Sequence, residues 1–195
     1  MRQVPVGGVA AKDWDLQEEL EKTLAPEIRS RVVDIKTRKE GLVVSPREIG
    51  FYESGASPMR VSSVGSVDRL AAVLASRSEN MRIEGHTDNV PIHNAHFPSN
   101  WELSTSRATE LVKFFMYRYQ FTPSRLSAAG YLEFHPVAGN TSTDGRARNR
   151  RVDIVILNPA SSELIPPPLS SPQATSSPSV SAPKPASSPK RPSDP

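Results

Sequence analysis

Leu16, Leu20 and Leu24 recur at i, i+4 and i+8 in WDLQEELEKTLAPEIRSR, which predicts an amphipathic helix that Pro26 ends or kinks. The period then changes to two. In VVDIKTRKEGLVV, Val33 and Ile35 alternate with Asp34 and Lys36 around a KEG turn, the pattern of two paired strands. SPREIGFYESGASPM is rich in turn residues but carries Ile49, Phe51 and Tyr52, so it reads as an ordered loop with inward-facing aromatic residues. Val64, Val67, Leu70, Ala71 and Leu74 return to helical spacing, and MRIEG alternates as a strand with Met81 and Ile83 on one side. A third helix is expected to begin near Ser104 as its N-cap, to bury Ala108, Leu111, Val112, Phe115 and Tyr119, and to be finished by Pro123. RLSAAGY reads as a short strand, DGRARNR as a helical turn, and RVDIVIL as a strand apolar on both faces and hence central.

The order helix, two strands, helix, strand, helix, strand, strand predicts an α+β fold, an α/β sandwich with helices over a mixed sheet. Composition then divides the chain. Hydrophobic residues make up only 36%, and eleven of the 19 prolines lie from Pro159 onward, with no aromatic residue after Phe134. Such a segment has too little to bury to offset its ordering entropy. The expected organisation is a linker helix over 1–30, a folded domain over 31–158, and a disordered Pro/Ser-rich tail over 159–195.

Absence of cysteine excludes disulfides, thiol catalysis and zinc-thiolate sites. The first residues hold no apolar run long enough for a signal peptide or a membrane span, which implies either a cytoplasmic chain or a targeting segment upstream of Met1. A net charge of +3 suits an anionic partner but is too small to argue for nucleic acid. The four arginines within the six residues RARNRR have no interleaved aromatic platform, and no nucleic-acid partner is expected.

Two charges stand out. Asp88 closes the predicted MRIEGH strand, and Arg107 falls in the first turn of the predicted helix, where its dipole disfavours a cation. Held at one mouth of the sheet, the pair suits a zwitterion: the arginine fork takes a carboxylate and the aspartate an ammonium. The bland alternative is a direct Asp88–Arg107 salt bridge. Asn149 and Arg150 are expected to line or brace the same site. His86, His93 and His96 with Asp88 offer a rival set of metal ligands, but their spacing matches no zinc helix, and neither metal nor cofactor is expected. No nucleophile elbow, phosphate loop or H-E-x-x-H helix is present.

IEGHTDN, NWELSTSRA and NTSTDGRARNRRVDI, in that order, resemble the OmpA-like peptidoglycan-binding domain over roughly Leu42 to Leu157. Within it, GLVVSPREIGFYESGAS and the long loop NVPIHNAHFPSNWELS are similar to the periplasmic part of flagellar stator proteins of the MotB type. The resemblance implies a β-α-β-α-β-β domain that binds the diaminopimelate of peptidoglycan stem peptides without catalysis. It assigns Asp88 and Arg107 as the ligand-binding acid and base, with Thr87, Asn100 and Leu103 as neighbours. It also implies a homodimer, a membrane channel subunit as partner and a periplasmic location, although stator proteins carry an N-terminal membrane helix that nothing here supplies. The expected function is a cell-wall anchor, most simply of a flagellar stator. A wall anchor of another machine, such as a secretion system, and a metal-dependent wall hydrolase using the three histidines are the alternatives.

Overall fold

The computed structural model describes residues 11–163; the N-terminal residues before them and nearly all of the expected tail lie outside the described residues. In chain order the elements are α1 (Ala11–Thr23), α2 (Ala25–Arg29), β1 (Val33–Arg38), β2 (Gly41–Pro46), α3 (Glu48–Phe51), α4 (Val61–Ala75), β3 (Met81–His86), α5 (Asn100–Tyr119), β4 (Leu126–Leu132), α6 (Thr143–Asn149), β5 (Arg151–Leu157) and α7 (Pro159–Ser162). The fold is α+β, with one five-stranded mixed sheet ordered β1-β2-β5-β3-β4. Only β3 and β4 pair in parallel; the other neighbours are antiparallel. Elements β2-α4-β3-α5-β4-β5 give the expected β-α-β-α-β-β order, with β1 added at the edge. The central strand β5 is buried along its whole length.

The helices lie on one face of the sheet. Leu42 and Val44 of β2, Met81 and Ile83 of β3, and Val152, Ile154 and Ile156 of β5 meet Val67, Leu70 and Leu74 of α4 and Ala108, Leu111 and Phe115 of α5. Leu16, Leu20 and Leu24 are buried in this same cluster, so the segment expected as a linker helix forms part of the domain core. Fully burying an aliphatic side chain contributes about 1.5–3 kcal/mol, which explains why three leucines suffice to dock so polar a helix. At the other end, Asn158 caps α7 by accepting from the Ser161 N–H, so the residues just after β5 are helical where a tail was expected.

Helix α5 starts earlier than its hydrophobic pattern suggests. Ser99 is the N-cap: its hydroxyl accepts from the Trp101 N–H at 3.1 Å and donates to Glu102 at 2.6 Å. This S-x-x-E spacing marks a helix start through the pairing of cap and third residue. Ser104 is instead buried inside the helix, its hydroxyl donating to the Trp101 carbonyl. The helix stops at Tyr119 because Gln120 turns left-handed at φ 55°, ahead of Pro123.

Two glycines let α5 lie against the sheet. A Cβ on Gly85 would stand 1.9 Å from the Ser104 carbonyl oxygen, and one on Gly130 2.3 Å from the Thr105 hydroxyl. Directly beyond them the ladder slips: Gly85 pairs with Gly130 but His86 with Leu132, leaving Tyr131 as an extra residue. Leu132 takes a left-handed φ of 52° there, and its carbonyl accepts the Thr87 N–H at 3.0 Å. A bulge of this kind bends a strand end and re-aims the residues after it. Here it turns Thr87 and Asp88 toward the first turns of α5.

Candidate ligand-binding cavity

A cavity of about 410 Å³ opens where these elements converge. Thr87, Asp88, Asn100, Leu103, Arg107 and Arg150 line it, together with Glu48 and Arg146. Asn100, Leu103 and Arg107 belong to one stripe of α5, since residues three and four apart share a helix face. Because α5 begins at Asn100, Arg107 is its eighth residue, two turns inside rather than in the first turn as expected. The dipole argument therefore does not apply to it. What makes Arg107 unusual is burial: it is the largest fully buried side chain among the described residues.

Arg107 and Asp88 do not pair with each other directly. Arg107 Nη2 donates to Glu48 Oε2 at 2.7 Å, and the other oxygen of Glu48 accepts from Arg150 Nε at 2.7 Å. Arg150 Nη1 donates in turn to Asp88 Oδ2 at 2.7 Å. The result is a four-membered relay of alternating charge, Arg107–Glu48–Arg150–Asp88. The remaining Asp88 oxygen accepts the Val90 N–H at 3.0 Å, which fixes the turn after β3. Thr87 donates its hydroxyl to the Asp88 carbonyl, and Asn100 its amide to the Val90 carbonyl, so both hold the same turn.

Glu48 is the residue that sequence reading missed. It sits in α3, three residues before inward-facing Phe51 and hence on the same face, and its N–H is tied to the Arg150 carbonyl at 2.8 Å. Its one legible signal was an acid in phase with a buried aromatic residue. The loop after it wraps the Arg107 guanidinium: Nε donates to the Ala56 carbonyl at 2.8 Å and Nη2 reaches the Glu53 carbonyl at 3.4 Å. The Tyr52 ring lies beneath, 5.0 Å from the guanidinium carbon, where the ring face favours a cation. Burial pushes the Tyr52 phenol up, so it stays neutral. Arg107 Nη1 alone has no partner among the described residues. A buried donor left unpaired costs roughly 1–3 kcal/mol, more when charged.

Asn149 lies outside the cavity. Its carbonyl oxygen accepts from the Val137 and Ala138 N–H groups, and its amide donates to the Ala138 carbonyl and to Asn140. It braces the loop before α6, while Arg146, which was not singled out, lines the cavity through contacts to carbonyls and a hydroxyl. The cavity thus carries three arginines against two carboxylates.

The histidines do not gather. His93 and His96 are exposed on the loop before α5, whereas His86 is buried on the sheet face away from the helices. There His86 meets Glu84 and Asp153, and donor atoms of all three lie within 4.8 Å of one another. The carboxylates are already occupied: Arg82 holds Glu84 at 2.6 Å, while Arg38, Arg151 and Ser45 hold Asp153 at 2.9, 3.0 and 2.6 Å. Three guanidinium groups around two acids would repel a divalent cation, so this donor set does not fit a metal.

Burial pushes the His86 imidazole below its ordinary value of 6.5, against the pull of Glu84 and Asp153 and together with repulsion from Arg151. For Glu84 and Asp153, burial acts to raise the value, but His86, Arg82 and Arg151 outweigh it and hold both carboxyls low. The unfolded chain therefore takes up a proton at His86 before the folded one does. Stability from the neutral ring is present above about pH 6.5 and declines below it, by at most about 1.4 kcal/mol per pH unit. The two acids lose their contribution only below about pH 4. Thermal melts from pH 7 to 5 should show a falling Tm, and His86→Phe should flatten that limb, since Tyr131 already stacks on the ring and His135 lies tilted beside it.

The chain belongs to the OmpA family, whose model matches residues 51–150. Its relatives include Motility protein B of Bacillus subtilis, 33% identical over 144 residues that make up 73% of this chain and 55% of that protein. The chain spans about half the length of the curated relatives it matches. Among solved structures it is similar to the cell wall anchor of the T6SS from Pseudomonas aeruginosa, with TM-score 0.66, 33% identity and 71% and 97% of the two chains covered. A MotB-like protein from Desulfovibrio vulgaris matches with TM-score 0.67 and 27% identity over 74% and 92% of the chains. Of these relatives, the Bacillus subtilis protein is a motility protein and the Pseudomonas aeruginosa protein a cell wall anchor.

Proposed function

We propose that the chain is a non-catalytic peptidoglycan anchor whose cavity takes the free end of diaminopimelate in the stem peptide. The observation that carries this reading is a cavity lined both by Asp88 and by Arg107, a buried arginine whose Nη1 has no partner among the described residues. A carboxylate there supplies the missing acceptor, and the ammonium on the same carbon finds Asp88 across the cavity. Arg150 sits between them and screens the two halves of the ligand. Thr87, Asn100 and Leu103 then shape the turn and wall rather than carry charge.

Family membership and the cell wall anchor among the similar structures support wall contact in the periplasm or cell envelope. Motility protein B as a relative supports a flagellar stator, with a homodimer and a membrane channel subunit as partners. The match over nearly the whole T6SS wall anchor supports the second reading, an anchor of another envelope machine. No helix among the described residues is long and apolar enough to cross a membrane.

Lysine-type peptidoglycan provides the test, because lysine is diaminopimelate without the carboxylate that Arg107 would hold. Purified protein should cosediment with diaminopimelate-type walls and bind lysine-type walls at least about tenfold more weakly, the loss expected for one charged contact of about 1.4 kcal/mol or more. Equal binding to both wall types would remove the diaminopimelate assignment.

A further inference from the structure

Two aromatic side chains stand exposed beside the cavity. Trp101 is 53% and Phe134 65% accessible, and their rings are 6.3 Å apart, tilted by 43°. Trp101 directly follows Asn100 of the cavity wall, and Phe134 lies two residues beyond Leu132, whose carbonyl holds the Thr87 N–H. The aromatic pair and the cavity thus share their supporting residues but face different sides of the α5 start. A shallow groove of about 430 Å³ runs from Trp101 along Glu102, Thr105, Ser106 and Thr109. Exposing two large rings costs hydrophobic free energy that a monomer gains nothing from. A ring face rimmed by hydroxyls and a carboxylate is the chemistry that takes a sugar: axial C–H groups stack on the ring and hydroxyls find polar partners at its edge.

We propose that Trp101 and Phe134 form a carbohydrate subsite that holds an N-acetylated amino sugar of the glycan strand next to the stem peptide. This rests on the peptidoglycan reading of the cavity, and deepens it: the cavity reads the peptide, the aromatic pair the sugar to which that peptide is attached. Trp101 supplies the platform, Phe134 fixes its tilt, and Glu102 and the hydroxyl side chains of the groove receive the sugar hydroxyls. Wall binding then needs both contacts at once, and each weak contact raises the local concentration for the other.

The test uses the full chain and three probes: chitotetraose, a diaminopimelate-containing stem tripeptide without sugar, and the corresponding disaccharide–tripeptide. In a Trp14→Phe background, chitotetraose at about 10 mM, enough to reveal a millimolar contact, should shift the Trp101 indole N–H resonance. Trp101→Ala and Phe134→Ala should each weaken the disaccharide–tripeptide by about tenfold and leave the sugar-free tripeptide unchanged. Asp88→Ala should do the reverse, losing the tripeptide and keeping chitotetraose. An unmoved indole resonance, or aromatic variants that bind the disaccharide–tripeptide like wild type, would overturn the subsite. Aromatic variants that weaken both peptides equally would overturn it too, since that marks a structural role. A wild type that binds chitotetraose but no tripeptide would instead remove the cavity assignment.

Discussion

Asp88→Ala and Arg107→Lys are each expected to abolish cosedimentation with diaminopimelate-type peptidoglycan. Losing one side of a desolvated charged contact costs roughly 2–5 kcal/mol, enough to take a micromolar interaction beyond detection. The two variants differ in what else they disturb. Asp88→Ala frees Arg150, which keeps its second partner Glu48, and the Val90 N–H, whose turn Asn100 still holds through the Val90 carbonyl, so the folded protein should lose only modest stability. Arg107→Lys keeps a cation near Glu48 but loses the planar fork, because an ammonium cannot serve the Ala56 carbonyl, Glu48 and a ligand carboxylate together. Some stability is lost with it, so binding has to be read well below the melting transition. If folded Arg107→Lys binds the wall like wild type, the arginine is a structural post only and the cavity assignment fails.

Much of this site was legible as residues but not as geometry. The hairpin of β1 and β2, the buried β5 and the helical turn over DGRARNR follow from local period and turn chemistry, and the structure has them where the pattern puts them. The α5 start was misplaced because Ser104 precedes the apolar run, whereas the true cap lies before a polar first turn and is marked only by the Ser99–Glu102 spacing. That shift of one turn moved Arg107 from an exposed end to the buried interior. Its partner Glu48 lies 59 residues away in the short helix α3, and no periodicity links the two. Pairing between an acid of α3 and an arginine of α5 is a property of the assembled fold. Asn149 was misread for a related reason: its neighbour Arg150 turns into the cavity while its own amide turns under the loop at Val137 and Ala138.

Glu48→Ala is expected to be the most destabilising single change in the site. Its side chain is 6% exposed and its two oxygens serve Arg107 and Arg150. Removing one partner of a buried ion pair typically costs about 3–5 kcal/mol, since the charge left behind is neither solvated nor paired. Arg150 escapes most of that cost because it is 28% exposed and retains Asp88. Arg107 does not escape: it is fully buried, already has one unpaired nitrogen, and would keep only the carbonyls of Ala56 and Glu53 and the Tyr52 ring. For a domain of this size each kcal/mol lowers Tm by roughly 2–4 °C, so a fall of about 6–20 °C is expected in calorimetry. Glu48→Gln should fare little better, because the amide offers one acceptor and turns a donor toward the second guanidinium. The control is Glu53→Ala, which removes a carboxylate that is 71% exposed in its pair with Arg60. Surface pairs of that kind contribute less than about 1 kcal/mol, and Tm should scarcely move. A Glu48→Ala protein as stable as Glu53→Ala would mean that the relay does not hold the cavity together, and that Arg107 is kept in place by the wrapped loop alone.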